Sequence, residues 1–187
     1  MKYNELSESA KDNALTNVME RVDDGDETWY YDEISRVETK LKEEGFNNPK
    51  VGNQNYKISC DLTKMTDGIF DRLTEYNTID LLENVNLMTP KQYCVKYIEF
   101  EVDTERATVT DNNPQLEEYM KTEVFPERQS KIVNAVKSAV EYYFFSESLE
   151  LEDTIEENYN NREKILQELA EDEINDYDFD ENGRIVE

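Results

Sequence analysis

The chain is 187 residues long, carries 20 basic against 45 acidic side chains for a formal net charge of −25, and contains no histidine. Such an excess repels DNA, RNA and anionic membranes and favours basic partners, while the missing imidazole removes histidine bases and histidine zinc ligands. The length suits one domain, and 12 tyrosines, 7 phenylalanines and 1 tryptophan suffice for a core.

Leu6, Ala10, Ala14, Val18 and Val22 recur at every fourth position, which predicts an amphipathic helix over residues 6 to about 22 with Ser7 as its cap. "DDGDE" (Asp23 to Glu27) ends it. Tyr30, Ile34, Val37 and Leu41 predict a second helix, with Gly45 as its C′ residue and Pro49 barring its resumption. Trp29 is expected to anchor this helix pair.

"NYKISCDL" alternates Tyr56, Ile58, Cys60 and Leu62 and reads as a half-buried strand. "TKMTDGIFDRL" carries a turn signal at Asp67-Gly68, and "TIDLLENV" leans helical. "QYCVKYIEFEV" gives the strongest strand signal, with Cys94, Ile98, Phe100 and Val102 on one side and Lys96 as the exception; "RATVT" suits its hairpin partner. Asn113-Pro114 predicts the cap of a helix through Leu116, Tyr119, Met120 and Val124, which Pro126 should break or kink. Ile132, Val136, Ala139 and Tyr143 form the stripe of a stronger helix. From Ser146 the composition turns acidic, yet Leu151, Ile155, Tyr159, Leu166 and Leu169 keep helical spacing.

This order predicts an α+β fold: a small antiparallel sheet covered by helices, then acidic C-terminal helices and a terminal hairpin. Residues 1–146 form the expected core, with residues 147–187 an appendage packed on it in one domain overall. Cys60 and Cys94 are expected as buried free thiols in a reducing compartment. The chain has no apolar run long enough for a membrane helix, and "MKYNELSESA" lacks the apolar centre of a signal peptide, so a cytoplasmic location is expected.

The ending "NDYDFDENGRIVE" places Asp178, Asp180, Asn182 and Gly183 in the order that opens an EF-hand loop. The glutamate that closes such a loop would fall beyond residue 187. "DENG" also suits a tight hairpin, with Asn182-Gly183 as a type I′ turn between Tyr177, Phe179 and Ile185, Val186. The hairpin is the expectation; a weak calcium site through residues 178–183 is an alternative. Gly-rich phosphate loops, GxSxG and HExxH are absent, so no catalytic residue, metal or cofactor is expected.

Residues 147–187 hold 16 acidic and 3 basic side chains, about half of the whole excess. Glu152 with Glu156, and Asp153 with Glu157, make two helical rows whose members stand roughly 6 Å apart along the axis. Phosphates along one DNA strand advance by about 3.4 Å, so two staggered rows approximate alternate phosphates. Leu151, Ile155 and Tyr159 are expected to supply the apolar stripe beneath. The predicted contact residues are Glu150, Glu152, Asp153, Glu156, Glu157 and Glu163, with Asp23, Asp24 and Asp26 as a second patch.

"YNELSESAKDNAL" (Tyr3 to Leu15) and "YDFDENGRI" (Tyr177 to Ile185) resemble the opening and closing segments of small accessory proteins from phages and prophages of Gram-positive bacteria, with the patterns Y-x-E-L-S-x-x-A-K and F-x-x-x-G-R-I. The middle, "ISCDLTKMTDGIF", departs from the glycine- and serine-rich strand such proteins often carry. The resemblance implies a phage accessory role, in the manner of anti-restriction and anti-CRISPR inhibitors, and carries over nothing catalytic.

Charge and resemblance together give the expectation of a non-enzymatic inhibitor in the bacterial cytoplasm. Its acidic surface would occupy the basic DNA- or RNA-binding cleft of a host defence enzyme, a CRISPR effector nuclease of the Cas9 type first and a restriction enzyme second. Direct contact with nucleic acid or membrane is not expected. The alternative is a regulatory or structural interaction module whose acids only solvate its surface.

Overall fold

The computed structural model describes residues 1–23, 28–53, 55–85, 87–103, 106–114 and 124–186. The fold is α+β: five helices, a four-stranded antiparallel sheet and a two-stranded hairpin among the described residues. Contacts divide the chain into two compact units, Met1–Tyr31 with Asp153–Glu187, and Asp32–Glu152. Two helices, α2 (Thr28–Glu43) and α5 (Val124–Glu173), contribute residues to both.

In the first unit, α1 (Glu8–Val22) begins where expected, with the Ser7 hydroxyl accepting from the Ala10 N–H at 3.3 Å. Ala10, Ala14 and Val18 form its buried face and cluster with Leu6, Ala170, Ile174 and Phe179. Small side chains at every fourth position leave room for a second backbone against the helix. The terminal hairpin takes it: β5 (Asp178–Phe179) pairs antiparallel with β6 (Ile185–Val186). Asn13 Nδ2 donates to the Asn182 carbonyl at 3.2 Å, and Asn17 Nδ2 to the Gly183 carbonyl at 3.1 Å.

The predicted type I′ turn is corrected by one residue. The Gly183 N–H bonds to the Asp180 carbonyl at 3.1 Å, so the turn runs Asp180–Gly183, and Gly183 alone of the Asn182-Gly183 pair has positive φ, +81°. A type I turn followed by a left-handed glycine fits the right-handed twist of the strands equally well. The Asp180 carboxylate accepts from both the Asn182 and Arg184 N–H groups at 2.9 Å, so its charge is spent inside the loop.

In the second unit, α2 ends at Gly45 (φ +103°), with Phe46 N–H bonded to the Leu41 carbonyl and Gly45 N–H to the Lys42 carbonyl, a Schellman cap. The sheet order is β1 (Lys50–Val51), β2 (Ile58–Lys64), β3 (Ile98–Asp103) and β4 (Arg106–Asp111). Ile98, Phe100 and Val102 are buried as the alternation predicts. On β2 the phase breaks: Cys60 opposes Val102 but Thr63 opposes Phe100, an irregularity that turns Thr63 inward and leaves Leu62 52% exposed.

Three further expectations are corrected in this unit. Pro90–Tyr97 is a helix, α4, rather than the first half of a strand. Thr89 and Gln92 form a capping box with proline at the first helical position, and this local signal outweighs the alternation that had assigned Cys94 to a strand. Lys96 is then an exposed helical residue beside the Tyr97 ring. Asp67-Gly68 is no turn but the first turn of α3 (Asp67–Thr74), capped by the Thr66 hydroxyl. "TIDLLENV" holds only a short 3-10 turn, Ile79–Leu81.

Pro126 falls in the first turn of α5, where its missing N–H has no partner to lose; the break expected at this proline concerned the preceding predicted helix. The expected C-terminal helices are one 50-residue helix with it. The predicted helix through Leu116, Tyr119 and Met120 lies outside the described residues. Phe46 holds the core of this unit together, stacking on Tyr143 and meeting Phe100 and Phe144 edge-on. Cys60 and Cys94 are both buried and free.

Candidate functional site

Charge is unevenly shared. The first unit, Met1–Tyr31 with Asp153–Glu187, carries 21 acidic and 6 basic residues; the second, longer unit carries 24 and 14. Asp153, Glu156, Glu157 and Glu163 lie in the first unit's stretch of α5, all exposed, with no ion pair or hydrogen bond among the described residues. Glu156 and Glu163, seven positions apart, project from one side of the helix, with Asp153 and Glu157 on the next. The buried Ile155 fixes that stretch from below. Tyr159, expected beside it, is instead 60% exposed.

Glu150 and Glu152 belong to the second unit's stretch of the helix and are also exposed. Of the second predicted patch, Asp23 is bound by Arg162, with Nη2 at 2.6 Å from Oδ1, and contributes little free charge. Asp24 and Asp26 lie outside the described residues.

In the calcium-like motif, Asp178 faces Lys2 Nζ at 3.3 Å, and Asp180 serves its own turn. The Asp180 carboxyl is held below the usual range by the Arg184 and Asn182 N–H groups. Among the described residues no group of three or more acids or thiols is placed to hold a metal ion.

The first unit also contains a groove of about 430 Å³ that the sequence did not announce. Val22 and Trp29 form one wall; Asn158, Asn161, Arg162, Ile165, Leu166 and Leu169 of α5 form the other. Ile165 is 56% and Leu169 45% exposed, so this apolar surface is uncovered. The available signal was an excess of apolar residues: Tyr159, Ile165, Leu166 and Leu169 are too many for one buried stripe. Val22 and Trp29 could not be assigned to it, since the charged segment between them hides their proximity.

In the second unit, several acids are tied down. Glu147, 6% exposed, accepts two bonds from Lys40 Nζ, both at 2.7 Å. Glu44 joins Arg72 at 3.0 Å and accepts from the Tyr143 hydroxyl, while Arg72 also reaches Glu75. Burial, and then the Glu44 acceptor, push the Tyr143 hydroxyl up from its ordinary range. Asp71 binds Lys91 at 2.7 Å, and Glu83 binds Arg128 at 2.8 Å. The network braces the helices.

No helix among the described residues is long and apolar enough to cross a membrane. No family model, curated protein or solved structure matches the chain.

Proposed function

We propose that the protein is a non-enzymatic inhibitor that fills the basic nucleic-acid-binding cleft of a bacterial defence nuclease, a CRISPR effector or a restriction enzyme, on behalf of a phage. The observation that carries this reading is the contrast in charge pairing. In the second unit Glu44, Asp71, Glu83 and Glu147 are each paired with lysine or arginine, whereas among the described residues Asp153, Glu156, Glu157 and Glu163 stand unpaired on one helix. A folded body that keeps like charges exposed and rigid has already met the cost of their repulsion, so they are set to exchange water for a partner's cations. From Glu156 to Glu163 the helix rises by about 10 Å, close to three nucleotide steps.

The test is inhibition of DNA cleavage by a panel of CRISPR effectors and restriction enzymes at two salt concentrations. Affinity for the inhibited enzyme should fall tenfold or more between about 50 and 200 mM salt, because the cleft is tuned to phosphates. Reversing Asp153, Glu156, Glu157 and Glu163 to lysine should abolish inhibition. Affinity indifferent to both salt and charge reversal removes the reading.

A second reading, an interaction module that binds through apolar surface, is favoured by one observation. Tyr142, Phe145 and Leu149 in the second unit are 59%, 49% and 44% exposed at helical spacing. It expects Phe145→Ser with Leu149→Ser to weaken partner binding and the lysine reversals to leave it intact.

A further inference from the structure

We infer that the groove between Val22, Trp29 and α5 receives a basic amphipathic α-helix from a protein partner. The inference deepens the proposed function by naming the element that is gripped, and it rests on that reading only for the partner's being a nucleic-acid-binding protein.

Shape and charge each contribute. The groove-lining residues of α5 run from Asn158 to Leu169, about 17 Å of helix, which matches three turns of a helix laid alongside. Its apolar surface comes from Val22, Trp29, Ile165, Leu166 and Leu169, with Ile165 and Leu169 about half exposed. A helix that covered them would bury side chains with leucine or phenylalanine at positions three and four apart.

The rim fixes the sign of that helix. Successive neighbours at three- and four-residue spacing define a ridge through Glu157, Asn161, Ile165, Glu168 and Asp172, so the two groove-lining members have exposed carboxylates at either end. The cation in the wall, Arg162, is matched by Asp23 at 2.6 Å and so leaves the local balance acidic. Asn158 and Asn161 add amide groups without charge. An acidic helix would meet Glu157, Glu168 and Asp172 as like charges; a neutral one would leave them unanswered. Lysine or arginine flanking an apolar stripe satisfies both features.

The chain's single tryptophan lines this groove, so its emission reports occupancy directly. The probe is a tryptophan-free peptide of about 16 leucine and lysine residues with its leucines on one helical face. Controls are the same composition in scrambled order and a leucine–glutamate analogue. The patterned basic peptide should give a saturable blue shift of Trp29 emission and bind about tenfold or more tighter than the scrambled one. Leu169→Asp, at a half-exposed site and with an unchanged far-ultraviolet dichroism spectrum, should cost a similar factor although it adds negative charge. Glu168→Lys with Asp172→Lys should weaken the peptide as well.

Equal binding of patterned and scrambled peptides, or binding undiminished by Leu169→Asp, would overturn the inference and leave only diffuse attraction. Failure of the two proposals is separable. A peptide seated in the groove with no nuclease inhibited retains the groove and removes the nuclease. Inhibition abolished by the lysine reversals but untouched by Leu169→Asp, with no peptide bound, does the opposite.

Discussion

Gly183 lies against the backbone of Ala10 so closely that a Cβ on Gly183 would stand 2.0 Å from the Ala10 carbonyl oxygen. The same atom would be 2.9 Å from the Ala14 amide nitrogen. Both obstacles are main chain, which cannot swing aside as a side chain would. With φ at +81°, the position demands glycine on steric and conformational grounds together. Gly183→Ala should therefore cost about 3 kcal/mol or more, beyond the usual penalty for alanine at positive φ. Urea melts followed by Trp29 fluorescence read this in the first unit; a midpoint equal to that of the parent chain would contradict the contact.

The pair Lys40–Glu147 offers a second measurement. Glu147 is buried while the Lys40 side chain is 42% exposed, so the two partners are not equivalent. Removing the lysine strands a buried charge; removing the acid leaves an ammonium that can turn to water. Lys40→Met should cost about 2 kcal/mol and Glu147→Gln about 1, with the double variant recovering part of the loss. Denaturant midpoints around this cycle decide it, and additive losses would mean the pair is not coupled.

Acid should loosen the hairpin late. The folded Asp180 carboxyl is held below its ordinary value by the Arg184 and Asn182 N–H groups. A depressed folded pKa gives stability that is present above the unfolded value, near 4, and is lost as pH falls through the lower folded value. Amide shifts of Asn182 and Arg184 should thus hold steady to about pH 4 and move together below it. In Asp180→Asn the step should vanish.

Alkali acts through the thiols. Burial pushes Cys94 up to about 12, and burial likewise raises Cys60. A raised folded pKa gives stability that is complete below the unfolded thiol value and drains away as pH climbs toward the folded one. The denaturation midpoint should fall as pH rises above about 8.5, and Cys94→Ala should flatten that slope. At neutral pH a disulfide-exchange reagent should find no reactive thiol in the folded chain and two after unfolding.

Repetition was an accurate guide over two stretches. Ala10, Ala14 and Val18 declared a helix face; Ile98, Phe100 and Val102 declared a strand. The errors fall where a local signal competed with a pattern. Alternation ran from Cys94 into Ile98 without a break, although Thr89-Pro90 and Gln92 had already begun a helix. Leu62 looked inward until an irregularity in β2 shifted the phase.

The acids were legible one by one, but their pairing was not. Nothing in the order of residues says that Arg162 neutralises Asp23, 139 positions away, or that Lys40 finds Glu147 across 107. The groove has the same origin, since its two walls come from segments separated by most of the chain. Sequence periodicity reports on one helix at a time; a groove needs two.

The closure of Gly183 on Ala10 also sets an order of events during translation. Helix α1 leaves the ribosome before the hairpin, with its alanine face bare, and the loop that covers it is made some 170 residues later. Until then Ala10, Ala14 and Val18 must find chaperones or water, and closing so long a loop favours slow, late maturation over folding in step with synthesis.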